Sequence, residues 1–473
     1  MGTATPSSDD LLGISDTLAG TPLIEEARLF DFIPEFSDLG NAKRFAQLLS
    51  GQVYWCPSQN NWYEWDRKRY KPIPKESLLR IATSVVRRCR AIAELIADKK
   101  VRQETLQYIH RCESLASIRN MIGLAKAFLA IDLEEFDRDR MLFNAANGTL
   151  DLRTGAISKH DPGNLISKLC PYEIADTPDC PTFLRFIDEI TCWREELSAF
   201  LQVCAGIWLS GDTTVQKFSL IYGTGNNGKS VYLNSIRRCL GEYAIVMTSN
   251  SLLLRKHSEI PNDVAALRGY RLVICSEAEK GERLAEARVK LLTGGDEVAA
   301  RFLYGEYFAY RPQCKIVFCT NHLPRIQGSD HAIWRRIVLI PFDHVVRPED
   351  VNPKLEEQLM AEAPGILRWM AEGFLRYQKE GLVTPQVVRD AVAGYRESED
   401  RLGEFLTDMT DHDSAALIRS SDLYRGYVEW AKNSGTEMLS QRTFSEAMSE
   451  RGMRKRTTKT GKYWVGLHYR GKG

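Results

Sequence analysis

Residues 221–230, Ile-Tyr-Gly-Thr-Gly-Asn-Asn-Gly-Lys-Ser, constrain this chain more than any other stretch. They fit G-x-x-x-x-G-K-[ST], the spacing of a loop that wraps phosphate groups. Gly223, Gly225 and Gly228 permit positive φ and bring the backbone close to an anion with no Cβ in the way. The amides running from Gly223, Thr224, Gly225, Asn226, Asn227 and Gly228 into Lys229, Ser230 and Val231 then form a nest at a helix start, where the dipole adds positive potential. Lys229 offers a point charge to the β- and γ-phosphates, and Ser230 offers a hydroxyl to Mg²⁺. The flanks agree, since Phe218–Tyr222 reads as a short buried strand and Val231–Leu240 as a helix with apolar residues at helical spacing. The pattern predicts an α/β fold that binds a nucleoside triphosphate, with ATP and Mg²⁺ as cofactors.

A phosphate loop needs an acid on a second buried strand to hold the metal and orient water. The apolar run Leu272–Cys275 ends in Glu277 and Glu279, at the strand ends where open α/β sheets bind ligands. A third apolar run from Lys315 ends in Asn321, a residue suited to hydrogen-bond a γ-phosphate or the water. Arg335 and Arg336 then precede the apolar stretch Ile337–Ile340. Each feature alone is weak, and a strand-end Asn is as readily a turn residue. The four in this order and spacing are specific.

These residues, with Lys290–Asp296, Arg301 and Pro312–Pro324, resemble a superfamily-three helicase of the poxvirus, phage and plasmid primase-helicase branch. The likeness covers residues 130–345 well and the flanks more loosely. It implies an AAA+-like motor that assembles as a ring, a hexamer, in which Lys229 binds phosphate, Ser230 and Glu277 serve Mg²⁺ and water, and Asn321 is the sensor. An arginine at 335 or 336 would reach the neighbouring subunit's γ-phosphate; spacing does not choose between them. Ser276 stands where many relatives have an acid, which leaves the second acidic role open between Glu277 and Glu279. A hairpin expected over 297–310 would face the ring channel, with Lys290 and Arg301 as basic contacts to DNA and Tyr304 as a stacking partner. Aromatic packing at a sheet edge accounts for these residues equally well.

The remainder divides by composition. Residues 1–25 are polar with weak periodicity and read as a disordered tail. Residues 26–130 read as an N-terminal α+β domain whose aromatic hairpin, Val53–Asp66, either stacks on bases or packs a small sheet onto helices. Residues 131–210 read as a helical domain before the motor, which spans 211–345. Asp137 and Asp139 are discounted as a metal pair because a hairpin follows and no second acidic cluster completes a site. Residues 346–410 read as a helical lid. After a polar linker near 411–414, helix, helix and hairpin suggest a winged-helix module over 411–473.

Formal net charge is only +1 over 473 residues, so a nucleic-acid footprint must be local. It is found from Arg451 to Lys462, where Arg454, Lys455, Arg456, Lys459 and Lys462 stand without an acid, beside Tyr463 and Trp464. The eleven cysteines show no metal spacing. No apolar run nears the ~18 residues of a membrane span, and the first ten residues lack a signal-peptide pattern. A cytoplasmic protein without membrane contact is expected. The resemblance implies an ATP-dependent DNA helicase of a mobile element, working on single-stranded DNA at replication start and leaving priming to a separate primase or polymerase. Two rivals are an origin-binding initiator that melts duplex DNA and an ATP-switched ring-assembly protein that never translocates.

Overall fold

The computed structural model describes residues 35–254, 262–276, 279, 281–301, 307–326, 331–435 and 438–470. The expected tail, Glu277 and Tyr304 lie outside the described residues.

The N-terminal region starts with helix α1 (Asp38–Leu48), capped by the Ser37 hydroxyl, which accepts from Gly40 N. Strands β1 (Val53–Cys56), β2 (Asn61–Trp65) and β3 (Tyr70–Pro72) form an antiparallel sheet in that order. Helices α2 (Lys75–Glu94), α3 (Lys99–Cys112) and α4 (Leu115–Ala125) cover it. The aromatic hairpin is chiefly packing: Trp62, Trp65 and Tyr70 are buried, with the Trp55 and Trp62 rings 5.5 Å apart. Tyr54, Trp55 and Tyr63 are half-buried.

Residues 131–210 are not purely helical. Strands β4 (Leu142–Ala145), β5 (Gly148–Asp151) and β6 (Ala156–Ser158) make a three-stranded meander before α5 (Pro181–Ile190) and α6 (Glu195–Leu209). Asp139 is engaged by Arg153 at 2.8 Å, and Asp137 accepts from Ser167 N and its hydroxyl. The two carboxylates serve separate structural contacts.

The centre of the molecule is a five-stranded parallel sheet built from β7 (Phe218–Tyr222), β8 (Ala244–Thr248), β9 (Leu272–Ser276), β12 (Lys315–Thr320) and β13 (Ile337–Pro341), in the order β13-β7-β12-β9-β8. Its strands are continuous apolar runs because both faces are covered. Ile221, Leu272, Ile274, Val317, Val338 and Ile340 pack on one side with α5, α6 and α7 (Lys229–Leu240). Phe218, Leu220, Val273, Ile316, Phe318, Ile337 and Leu339 pack on the other. The second layer includes α8 (Asn262–Ala266), α9 (Glu286–Thr293), the two-stranded sheet β10 (Val298–Arg301) and β11 (Tyr307–Tyr310), and α10 (His331–Trp334).

Helices α11 (Leu355–Ala361), α12 (Ala363–Glu380) and α13 (Gln386–Glu399) follow. α12 lies against α6 at glycines: a Cβ on Gly206 would collide with Phe374 N, Gly373 C and Met370 O, and one on Gly373 with Gln202 O. At the N-terminal end of the sheet two buried cations hold the C-terminus of α6. Arg271 donates to Leu209 O and Leu142 O, and Lys315 Nζ donates to Ser210 O. Cations suit these orphan helix carbonyls, which carry the negative end of the dipole.

The C-terminal module packs α14 (Arg401–Met409), α15 (Ser420–Asn433) and α16 (Gln441–Glu450) on a sheet of β14 (Thr410–Arg419), β15 (Lys455–Thr458) and β16 (Gly461–Tyr469) in the order β14-β16-β15. The expected linker at 411–414 is a correction: it belongs to β14. Its register with β16 shifts between His412 and Leu417. That irregularity and the exposure of residues 412–416 erase the alternation that marks a strand. No described helix is long and apolar enough to cross a membrane.

Candidate functional site

The loop of residues 223–228 joins β7, second in the sheet, to α7. Gly225 and Gly228 have φ of +112° and +80°, where an L side chain is strained. Gly223 is needed for space instead, since its Cβ would sit 2.5 Å from Phe342 O. Asn226 takes φ +46°, its carbonyl accepting from Val346 N at 2.7 Å. Asn227 is buried and donates its amide to Phe342 O at 3.1 Å. The segment after β13 therefore braces the loop from one side.

The start of α7 carries no side-chain cap: Gly228 holds that position in the left-handed conformation. The first-turn amides are left for a ligand or water, and this is the positive end of a 12-residue dipole. Lys229 is 4% exposed. Its ammonium donates to Gly223 O at 2.7 Å, Asn227 Oδ1 at 2.9 Å and Asn321 Oδ1 at 2.9 Å. Burial lowers its pKa from the ordinary lysine value. All three protons of the ammonium are thus held by neutral oxygens, and among the described residues no carboxylate pairs with this charge beside an uncapped helix start. That combination is a seat for an anion. Thr224 and Ser230 are exposed at its mouth and Val231 is half-buried.

Two neighbouring strands end at the same edge. Cys319 of β12 pairs with Ser276 of β9 and with Ile221 of β7, so Asn321 and the residues after Ser276 leave the sheet level with the loop. Glu277, the expected acid, lies outside the described residues; Glu279 is exposed, its amide donating to Glu282 Oε2 at 2.8 Å. The loop, Lys229 and Asn321 are brought together. Arg335 and Arg336 are not: they stand before β13, at the opposite end of the sheet. They also differ from each other. Arg336 is 7% exposed and donates to Ala332 O at 2.7 Å. Arg335 is exposed, and its charge, after burial, lowers the pKa of Lys217. Lys217 itself donates to Arg335 O.

The comparisons bear on what such a site belongs to. Residues 42–192 match the family model described as D5 N terminal like. Residues 221–336 match a family of unknown function, DUF5906. "Putative helicase L207/L206" of Acanthamoeba polyphaga mimivirus is 26% identical over 81% of this chain and 44% of its own length. "Putative helicase 022R" of Frog virus 3 is 26% identical over 63% of this chain and 31% of its own. These matches support a D5-like primase-helicase family. The chain spans less than half the length of these D5-like relatives. Among solved structures, the apo form of the NrS-1 C-terminal region aligns with a TM-score of 0.49 at 10% identity, over 89% of this chain and 98% of that one.

The DNA-facing residues expected from sequence fall in two places. Lys290 is half-buried on α9 and Arg301 exposed at the end of β10; Tyr304 lies outside the described residues. Arg454, Lys455, Arg456, Lys459 and Lys462 are all exposed on or beside the β15–β16 hairpin. Lys455 Nζ sits 4.5 Å from the Trp464 ring centroid, and Trp464 is fully buried. The hairpin borders a groove of about 870 Å³ whose walls include Arg419, Ser445, Lys455 and Lys462. Arg419 and Arg442, also on that groove, escaped the sequence reading because neither belongs to a basic run.

Proposed function

We propose that this chain is the motor portion of an ATP-dependent DNA helicase of a mobile genetic element, a superfamily-three AAA+ ring that moves on single-stranded DNA. The observation that carries the reading is the meeting of Lys229 with Asn321 at the carboxyl edge of the sheet. In chain order the parallel strands run five-one-four-three-two, with the phosphate loop after the first and Asn321 after the fourth. That order supports an AAA+-like core, and the similarity to viral proteins named as helicases supports the nucleic-acid partner.

Bound ATP with Mg²⁺ would supply the phosphoanhydride whose hydrolysis drives movement. The loop amides and Lys229 would hold its phosphates, Ser230 and Glu277 would attend the metal and water, and Asn321 would orient the γ-phosphate. The arginine role goes to Arg335. It is exposed, whereas Arg336 is committed to the end of α10. The five-residue β13 places it about 16 Å from the carboxyl edge, at ~3.3 Å per residue. It would therefore act on a neighbouring subunit's nucleotide, which makes the closed ring, a hexamer, the active form. The C-terminal groove and its hairpin would add phosphate contacts to DNA. The test is displacement of a labelled strand from a forked duplex. Wild type should displace it with ATP, and Lys229→Ala and Arg335→Ala should not. Equal displacement by all three proteins would remove the reading.

A further inference from the structure

A cleft of about 770 Å³ lies between the N-terminal region and the motor, at the end of the parallel sheet opposite the phosphate loop. One wall comes from β2, residues 133–140 and 167–168; the other comes from residues 265–270 and 310–313, which lead into β9 and β12. Five cations line it: Arg138, Arg140, Lys168, Arg268 and Arg311. Among the described residues, the side chains of Arg140, Arg268 and Arg311 make no hydrogen bond or ion pair, and Lys168 Nζ lies 4.3 Å from the Tyr270 ring centroid.

The cleft also holds four acids, none of which closes an ion pair with Arg140, Lys168, Arg268 or Arg311 among the described residues. Asp137 is taken by Ser167, and Glu135 is paired with Arg138 at 3.2 Å. Glu134 and Glu297 are exposed. Arg140, Lys168 and Arg268 are half-buried, and burial lowers the pKa of the last two. The charges of Glu134 and Asp137 favour the charged form of Arg268, and that of Asp137 favours charged Lys168. Among the described residues, however, no carboxylate closes an ion pair with Arg140, Lys168 or Arg268, and a bound anion would return part of the cost of their burial. Beside them stands the half-buried Tyr63 ring, which packs on Phe136 at 5.0 Å between centroids and also lines the cleft. Convergent cations with an aromatic face, in a cavity of ligand size, match a phosphate with an attached base.

We propose that this cleft is a second nucleotide site, holding a phosphate on Arg140, Lys168 and Arg268 and a base against Tyr63, whether the unit is free or one link of a single strand. It is physically separate from the phosphate loop, so the proposal stands or falls without the motor reading.

The test uses the full chain carrying Lys229→Ala, which silences the loop, with and without the further pair Arg140→Gln and Arg268→Gln. The probes are a fluorescein-labelled ten-residue oligo-dT, followed by anisotropy across a salt series, and dTTP, followed by calorimetry. If the site holds a strand, loss of two phosphate contacts flattens the log–log salt slope by about 1.4 and weakens binding ~25-fold at about 0.1 M salt. If it holds a free nucleotide, dTTP binding disappears in the pair while the oligonucleotide is unaffected. Unchanged affinity for both probes overturns the site. Arg140→Lys with Arg268→Lys guards against a folding defect: it should restore binding, and failure to do so in a protein of unchanged melting temperature also overturns it.

Discussion

Replacing Asn321 by Asp tests the contact on which the site turns. Asn321 Oδ1 lies 2.9 Å from the Lys229 ammonium, so Asn321→Asp sets a carboxylate oxygen in nearly the same place. In the free protein the change should be tolerated, because it gives a buried ammonium a counter-charge. Against a phosphate it should be costly. With a phosphate oxygen displacing Gly223 O or Asn227 Oδ1 at ~2.8 Å from Nζ, and tetrahedral geometry at nitrogen, the carboxylate and phosphate oxygens come about 4.7 Å apart. Two unit negative charges at that separation repel by about 3.5 kcal/mol at an effective dielectric of ~20. Nucleotide affinity should then fall a few hundredfold, since each ~1.4 kcal/mol is tenfold. Asn321→Ala removes a hydrogen bond without adding charge and should cost much less, about 1–2 kcal/mol. A fluorescent ATP analogue titrated into the three proteins separates the cases. If Asn321→Asp binds within threefold of wild type, Asn321 does not share a ligand with Lys229 and the geometry has been misread.

The arginine pair should divide by role: Arg335→Ala keeps the melting temperature and nucleotide affinity but slows hydrolysis by about 10³-fold, while Arg336→Ala lowers the melting temperature; a fully active Arg335→Ala removes the finger assignment. Gly206→Ala should destabilise by about 2 kcal/mol, the overpacking at the α6–α12 crossing exceeding what alanine contributes to the helix, and an unchanged melting temperature would contradict that packing. Burial pushes Lys315 down to about 7 from its ordinary 10.5. The unfolded chain therefore binds more protons between those values, and stability rises with pH across that window, by up to ~1.4 kcal/mol per pH unit. Chemical denaturation at pH 7 and pH 9 should show this rise in wild type relative to Lys315→Met, and parallel curves would refute it.

The strand–loop–helix at 218–240 was legible because its determinants are local: glycines where φ is positive, a lysine at the helix start and apolar runs on either side. The runs at 272–275 and 315–320 were legible for a related reason, since strands covered on both faces need no alternation. Their lateral order was not, because pairing joins residues from Ala244 with Leu272 to Phe218 with Ile337, far apart in the chain, and leaves no periodic trace. Arg335 and Arg336 are indistinguishable as letters; only the turn of α10 into β13 buries one and exposes the other. The buried charges Arg271 and Lys315 were missed as structural elements because their partners are backbone carbonyls at the end of α6 and the start of β4, which have no sequence signature. The strand at 410–419 was hidden by its polar, exposed middle. The cleft between the first domain and the motor was equally hidden, since its cations come from four separate segments.

At the centre stands Lys229, proposed to hold the phosphates of an ATP whose hydrolysis drives DNA movement. The most direct test is the rate of ATP hydrolysis by wild type and Lys229→Ala, each with and without single-stranded DNA. The account predicts hydrolysis by wild type that rises on adding DNA, and none by Lys229→Ala under either condition. Hydrolysis at one rate regardless of DNA would contradict it and leave an ATP-switched assembly as the reading of the same site.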